Sequence, residues 1–482
     1  MARVFKAAMS PRGIAALAGL IGFLSWHAMA AEPTTTDLQK KLDVLDARVR
    51  QLEKDKADLE KSLSGQYISE DEPDLSARLK AVESQANSYK KAVNTMEGLE
   101  GIKTNAGLTM LGQSLQGSVP SGQKDGELNY RADVTVTLPG GEFGNANGII
   151  FTHFRMGQGL GLETPNNAFS SVNATSFQRP GNTASDSTVL LAQLWYQLNV
   201  PLPLGGNPGL SRSHLEFNIG KMDPFGFFDQ NDVADDESRG FINQAFVHNP
   251  LLDIGGDVGV DDFGFTPGMR IAYINESSTP QTYAFSVGIF ATGNGASYND
   301  SFGSSFAIAQ FDTHQRFFGS DGNYRLYVWR NTLGTDYDGT GAEHSGVGIS
   351  MDQHVGDYTK LFARYGHQLQ GKVRFDQALT VGAEFGGSYW NRGADAIGVA
   401  LGWLKISDDF HQDSLTVDAN GDSVPDYGYQ ADGAEQVAEL YYRYHFNKEI
   451  ALSPNLQLIR HPGGNSQASD VKAAGLRLQI DY

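Results

Sequence analysis

The sequence predicts an all-β transmembrane β-barrel of roughly fourteen to sixteen antiparallel strands, preceded by an N-terminal α-helical coiled-coil segment. Three observations predict it. From Leu128 onward, apolar and polar residues alternate with a period of two in segments of about ten residues. Before residue 100, apolar positions recur in steps of four and three, the spacing of a helical seam. Past the N-terminus, no uninterrupted apolar stretch approaches the ~18 residues that a membrane-spanning helix needs.

Composition supports one large all-β unit rather than several soluble domains: Gly is 56 of 482 residues, aromatics are 11% and cysteine is absent. With no disulfide available, stability must come from backbone pairing and packing. Arg3, Lys6 and Arg12 precede an apolar run from Gly13 to Trp26 and the small residues around Ala28-Met29-Ala30. This is the pattern of a secretory signal peptide over residues 1–30, its apolar run being too short for an anchoring helix. Its removal would take the formal charge from −19 to −22 by deleting three positive charges. So acidic a chain has no nucleic-acid footprint, whereas an acidic exterior suits divalent-cation bridging to anionic lipopolysaccharide.

Residues 31–100 read as a periplasmic coiled coil. Leu38, Leu42, Leu45, Val49, Leu52, Leu59 and Leu63 form a heptad seam interrupted by Lys56, and Leu75, Leu79, Val82, Ala86, Tyr89, Val93 and Met96 continue it after a break at Gly65 and Pro73. An isolated helix of this length is marginal in water, so the stripe must be buried, by self-association into a trimer ahead of a dimer, or by folding back onto the barrel or into its periplasmic mouth. Residues 101–124 read as a linker, and 125–482 as the barrel.

In the first barrel segment Tyr130, Ala132, Val134, Val136 and Leu138 alternate with Asn129, Arg131, Asp133, Thr135 and Thr137. Similar alternation occupies 188–200, 269–275, 282–291, 324–330, 358–366, 395–406 and 435–446. A soluble β-sandwich would alternate too, but with shorter strands. Tyr and Trp at strand ends and the alternation of short turns with long polar loops favour the barrel. At the C-terminus Leu476, Leu478, Ile480 and Tyr482 alternate with Arg477, Gln479 and Asp481. Such a strand can pair with the first and leave no free edge.

Residues 435–464, EQVAELYYRYHFNKEIALSPNLQLIRHPGG, closely resemble the C-terminal signature of OprB-type carbohydrate-selective porins. In that signature an acidic, Tyr-rich strand precedes a Ser-Pro-x-Leu-Gln strand and a His-Pro-Gly turn. Residues 219–246, IGKMDPFGFFDQNDVADDESRGFINQAF, resemble the family's Gly-Lys-x-Asp strand and Phe-Asp-x-Asn loop, and Leu194-Trp195-Tyr196-Gln197 adds a third match. The resemblance implies a 16-stranded barrel, trimeric, with loops folded inward to narrow a channel for small hydrophilic solutes, carbohydrates or inorganic ions.

Passage of a sugar needs an aromatic surface for the apolar ring face, flanked by charged groups that exchange hydrogen bonds with hydroxyls. Candidates on wet strand positions are Arg155, Lys221, Arg364 and Glu384, with Asp223 and Glu237 from the Gly-Lys-x-Asp region and Trp390 as a stacking surface or, alternatively, an interfacial anchor. Asp418, Asn420, Asp422 and Asp426 alternate around a Gly turn and could serve Ca2+ in an outer loop, although the bidentate Glu of an EF-hand is missing and a plain Asx-rich loop is the competing reading. No other cofactor is expected. No Gly-x-Ser-x-Gly elbow, His-Glu-x-x-His or Walker loop occurs, so the chain is not expected to be an enzyme. Gly157-Gln-Gly159-Leu-Gly161 is read as a turn after a strand rather than a phosphate loop. A structural barrel tethering the envelope through its coiled coil is the reading of a different class.

Overall fold

A computed structural model describes residues 101–116, 125–159, 161–162, 167–177, 187–204, 211–254, 264–292, 305–317 and 319–482. The signal-peptide and coiled-coil expectations fall outside these. Sixteen strands follow one another along the described chain: β1 (Lys103–Gln116), β2 (Gly126–Phe143), β3 (Ala146–Gln158), β4 (Thr188–Leu202), β5 (Ser213–Met222), β6 (Thr266–Ser278), β7 (Gln281–Ala291) and β8 (Ser305–Phe317). They continue with β9 (Ser320–Thr335), β10 (Gly341–Val355), β11 (Thr359–Gln370), β12 (Phe375–Gly386), β13 (Ala396–Ile406), β14 (Glu435–His445), β15 (Ile450–Arg460) and β16 (Val471–Asp481). Each pairs antiparallel with its neighbours, and β16 returns to pair with β1, closing the barrel. Closure leaves every strand's N–H and C=O with a partner, the condition for crossing hydrocarbon without a helix.

Register decides which face each residue takes. In the seam Leu108 lies opposite Ile480, Met110 opposite Leu478 and Gly112 opposite Leu476, all outward, while Thr109 meets Gln479 and Leu111 meets Arg477 inside. Outward apolar side chains ring the barrel: Ile271, Phe285, Leu326 and Leu476 each stand half exposed, at 50–53%. A continuous surface of this kind is stable only against lipid. No helix among the described residues is long and apolar enough to cross a membrane.

The stretch 101–124, expected to be a linker, contains β1, and the barrel therefore begins earlier than residue 125. Its period is illegible because both faces are mixed: Leu108 and Met110 point out beside Gly112 and Ser114, while Leu111 and Leu115 point in beside Thr109 and Gln113. Elsewhere the expected strands sit where the alternation placed them.

The interior is packed by loops at one end of the barrel. The described residues of the loop after β3 (L2; 161–162 and 167–177) and of the loop after β5 (L3; 223–254 and 264–265) carry Phe169, Phe225, Phe228, Phe241 and Phe246 into apolar clusters with wall residues such as Tyr327, Trp329, Phe375 and Tyr441. Wall glycines make room where these rings lie flat. A Cβ on Gly348 would come within 2.2 Å of the Tyr327 ring, and one on Gly398 within 2.1 Å of Tyr441. L3 is built from short capped pieces. Asp223 caps a 3-10 turn (Pro224–Gly226), Asn243 caps α1 (Gln244–Val247) and Asn249 caps α2 (Pro250–Asp253), each side chain accepting a backbone N–H of its helix.

The lipid-facing assignment predicts that Leu326→Arg, on the outer face of β9, costs about 2–4 kcal/mol of folding free energy in bilayers, while Asn199→Arg, on the wet face of β4, costs less than about 1 kcal/mol. Denaturant titration of folding into lipid vesicles measures both, and equal costs would contradict the register.

Candidate channel lining and loop anchors

Three groups of side chains occupy the lumen. The first joins β2, β3 and β5 to L3. Arg131 donates from Nη1 to Glu237 Oε1 at 2.5 Å and from Nε to Asp133 Oδ2 at 2.9 Å. Asp133 Oδ1 also receives Arg155 Nε at 2.6 Å and lies 2.7 Å from His153 Nε2. Arg155 and Lys221 both lie over the Phe265 ring, at 5.2 and 5.9 Å from its centroid. Burial alone would raise the Glu237 carboxyl, but Arg131 and Arg155 outweigh it and hold it below its ordinary range. Asp223 opens L3 beside this group, accepting from Phe225 N at 3.0 Å.

The second group seats L3 on the opposite wall. Asp229 is fully buried and accepts from Asn249 N at 2.6 Å, Tyr327 Oη at 2.7 Å and Arg364 Nε at 3.2 Å. Arg364, 1% exposed, also donates to the carbonyls of Asp229, Ala234 and Phe246. Arg364 is thus spent on holding the loop, with Asp235 3.3 Å from its Nη2. Asp235 is pushed up to about 7 by burial, against the pull of His248 and Arg364. His248 lies flat on Phe225 with ring centroids 3.8 Å apart. Burial would lower its pKa, but the hydrogen bond and charge of Asp253, with Asp235, raise it to about 9.

The third group is an aromatic and charged strip. Phe151 and Trp195, register partners on β3 and β4, stack at 4.7 Å, and Phe227 of L3 meets Trp195 edge-on at 5.5 Å. Arg270 lies 5.2 Å over Phe227 and donates to Glu216, Asn218 and Ser286. Next to it is a cavity of about 220 Å³ lined by Phe227, Gln230, Arg270, Asp312, Asn323 and Arg325, among others. A larger hollow of about 470 Å³ at the loop end is lined by carboxylates, amides and Lys372 and presents no aromatic ring.

Of the residues expected from sequence, the structure brings Arg155, Lys221, Asp223 and Glu237 to one side of the lumen. Glu384 stands apart, accepting from Tyr441 Oη and from Arg443 Nη2 at 3.0 Å. Trp390 sits in the 3-10 turn Gly387–Trp390 between β12 and β13, its Nε1 3.3 Å from Tyr442 Oη. Asp418, Asn420, Asp422 and Asp426 turn their oxygens to N–H groups of their own loop: Asp418 to Asp422 and Ser423, Asn420 to Asp422, Asp422 to Val424 and Asp426 to Ala419. Among the described residues no group of three or more His, Cys, Asp or Glu is arranged to hold a metal ion. Sequence reasoning passed over Arg131, Arg270, Arg325, Phe227 and the glutamates of β14. The legible signal for Arg131 was its wet position in the first alternating segment.

A closed antiparallel barrel with an apolar outer band and a charged lumen narrowed by inward loops defines a channel-forming protein of the bacterial outer membrane. Comparison with known sequences places it more finely: the profile of the family described as carbohydrate-selective porin, OprB family, matches residues 152–482, and the chain belongs to that family. Porin B of Pseudomonas aeruginosa is 29% identical over 160 residues, an alignment covering 31% of this chain and about a third (35%) of that relative's length. The high-pH structure of Pseudomonas putida OprB superposes with a TM-score of 0.62 at 20% identity, covering 80% of this chain and 96% of that one, which demonstrates the shared fold.

The Asp235 environment predicts a pH-dependent channel field. With its acid pulled up to about 7, Asp235 gains its negative charge between roughly pH 6 and 8, while His248 keeps its positive charge until about pH 9. Over pH 4–7 the folded loop binds the extra proton on Asp235, so its seat weakens as pH rises through that window; the His248 contribution is full below about pH 6.5 and is lost as pH rises from there to about 9. Reversal potentials in a salt gradient should therefore move towards cation preference as pH rises from 6 to 8, and Asp235→Asn should flatten that step. A variant with the same step as the parent would assign the titration to another group.

Proposed function

We propose that the chain is a passive diffusion channel for small hydrophilic solutes, carbohydrates above all, and that it catalyses no reaction. The observation that carries this reading is the strip in which Phe151, Trp195 and Phe227 offer ring faces while Arg270, Glu216, Asp312 and Arg325 offer donors and acceptors beside them. A pyranose has one apolar face and a rim of hydroxyls, and this pairing matches both. Both strong anions and strong cations meet a neutralised wall, since Arg270 is engaged by Glu216 and Arg325 by Asp352 and Asp312. The match to a carbohydrate-selective family supports the same solute class.

In the cell, the signal-peptide pattern of residues 1–30 supports export, the heptad seam of residues 38–63 supports a trimer tied together in the periplasm, and the acidic chain supports contact with lipopolysaccharide through divalent cations. The seam also favours a second role, tethering the envelope. Deleting residues 32–100 separates the two roles: a channel still conducts, whereas a tether loses its phenotype.

Aromatic pairs of this geometry are worth about 0.5–1.5 kcal/mol beyond area, so Trp195→Ala and Phe227→Ala should each weaken the block of ion current by added maltose roughly 2- to 10-fold. Arg270→Gln should weaken it comparably by removing donors to hydroxyls, with little change in salt conductance. Planar-bilayer recording with a panel of sugars measures the effect, and unchanged block in all three variants would place sugar passage elsewhere.

A further inference from the structure

Two carboxylates on the wet face of β14 stand four residues apart and serve neither the sugar strip nor an arginine ladder. Glu435 is fully buried and accepts from Phe169 N at 2.6 Å, Ser170 N at 3.0 Å and Ser170 Oγ at 2.8 Å, all in L2, and from Gly463 N at 2.8 Å in the turn after β15. Glu439, 2% exposed, accepts from Ile242 N and Asn243 N of L3, each at 2.8 Å, and from Asn455 Nδ2 on β15. Beside them Gln457 of β15 reaches both loops: its Nε2 donates to Val172 O of L2 at 2.9 Å, and its Oε1 accepts from Asn243 Nδ2 of L3 at 2.9 Å. The loops also join each other through Ala174 N to Ile242 O at 2.9 Å and Gln244 N to Ser171 O at 3.0 Å.

We infer that Glu435, Glu439 and Gln457 are positioning residues that bolt L2 and L3 as one unit to the β14–β15 wall, and that this anchorage, rather than the lining residues alone, sets the bore and the sugar selectivity. Loop backbone entering a lumen must find partners for its N–H groups or be expelled into the water of the pore. A carboxylate offers two acceptor oxygens and bonds to it are the stronger, charge-assisted kind, so one glutamate holds two adjacent N–H groups. The Ser453-Pro454-Asn455-Leu456-Gln457 run gains a physical reason here: Asn455 orients Glu439, and Gln457 staples both loops. The bore consequence rests on the channel reading of the preceding section, while the anchorage itself does not.

The chain has no cysteine, so a thiol introduced as Val172→Cys, at a fully buried L2 position, reports release of the loop. In purified full-length protein in detergent, its reaction with a membrane-impermeant maleimide should be slow. Adding Glu435→Gln or Glu439→Gln, which keeps shape but turns an acceptor into a donor facing N–H groups, should accelerate labelling roughly 10-fold or more, as expected for loss of bonds to a charged group. Gln457→Met should have a smaller effect in the same direction. In bilayers the same variants should show larger, noisier unitary currents and lose block by maltose, while heat-modifiable mobility on gels, which reads barrel integrity, stays as in the parent. Unchanged labelling in an intact barrel overturns the inference, as does faster labelling with unaltered conductance and sugar block. Should the glutamate variants fail to assemble, Gln457→Met decides the matter by the same readouts. A parent protein that conducts nothing would instead sink the channel reading and leave the labelling result to judge the anchorage by itself.

Discussion

The buried pair of Arg364 and Asp229 is the interaction on which the interior depends. Both are essentially without solvent, at 1% and 0% exposure, and each is saturated by further bonds: the guanidinium by loop carbonyls, the carboxylate by Asn249 N and the Tyr327 hydroxyl. Removing one partner of such a pair costs about 3–5 kcal/mol because the other charge is left stranded. A barrel of sixteen strands is wide enough to be a water-filled hole. This pair, reaching from β11 to the start of L3, turns it into a narrowed passage.

Other contacts extend the same logic around the wall. Arg477 donates to the carbonyls of Glu237, Arg239 and Gly240, Arg131 holds the Glu237 carboxylate, and Glu439 holds the Ile242 and Asn243 N–H groups. Arginines are thus placed where the loop offers carbonyls or a carboxylate, and Glu439 where it offers N–H groups. The charge inside the barrel is largely structural. The strip between Trp195 and Arg325, proposed above as the sugar path, sets rings beside groups whose charges are already balanced. On that proposal the balance favours weak contact, because an unpaired cation would instead trap anions.

The loop with Asp235 and His248 shows how anchoring and tuning are linked. Asp235 approaches Arg364, yet burial outweighs the attraction and leaves it close to neutrality. The same segment that fixes the passage therefore carries a group able to change the field within it.

By itself the sequence determined the barrel. Period-two alternation reports which side chains meet lipid, because each strand residue faces one side or the other, and strands such as β4, β7 and β13 could be read from it directly. It failed for β1, where Leu111 and Leu115 point inward among polar residues and are buried, Leu115 against loop residues Leu162 and Val172, so that both faces look alike. Arg155, Lys221, Asp223 and Glu237 were legible as wet charges, and the structure gathers them. Only the tertiary structure decided what each charge does: Arg364 and Arg155 look the same in an alternating strand, but one is sealed beneath L3 and the other lies over Phe265. That difference depends on where residues more than a hundred positions away fold back, and no local period records it. Glu435 and Glu439 were visible as an acidic strand, but their partners are backbone N–H groups of distant loops, which every residue but proline possesses and which therefore leave no mark in the sequence.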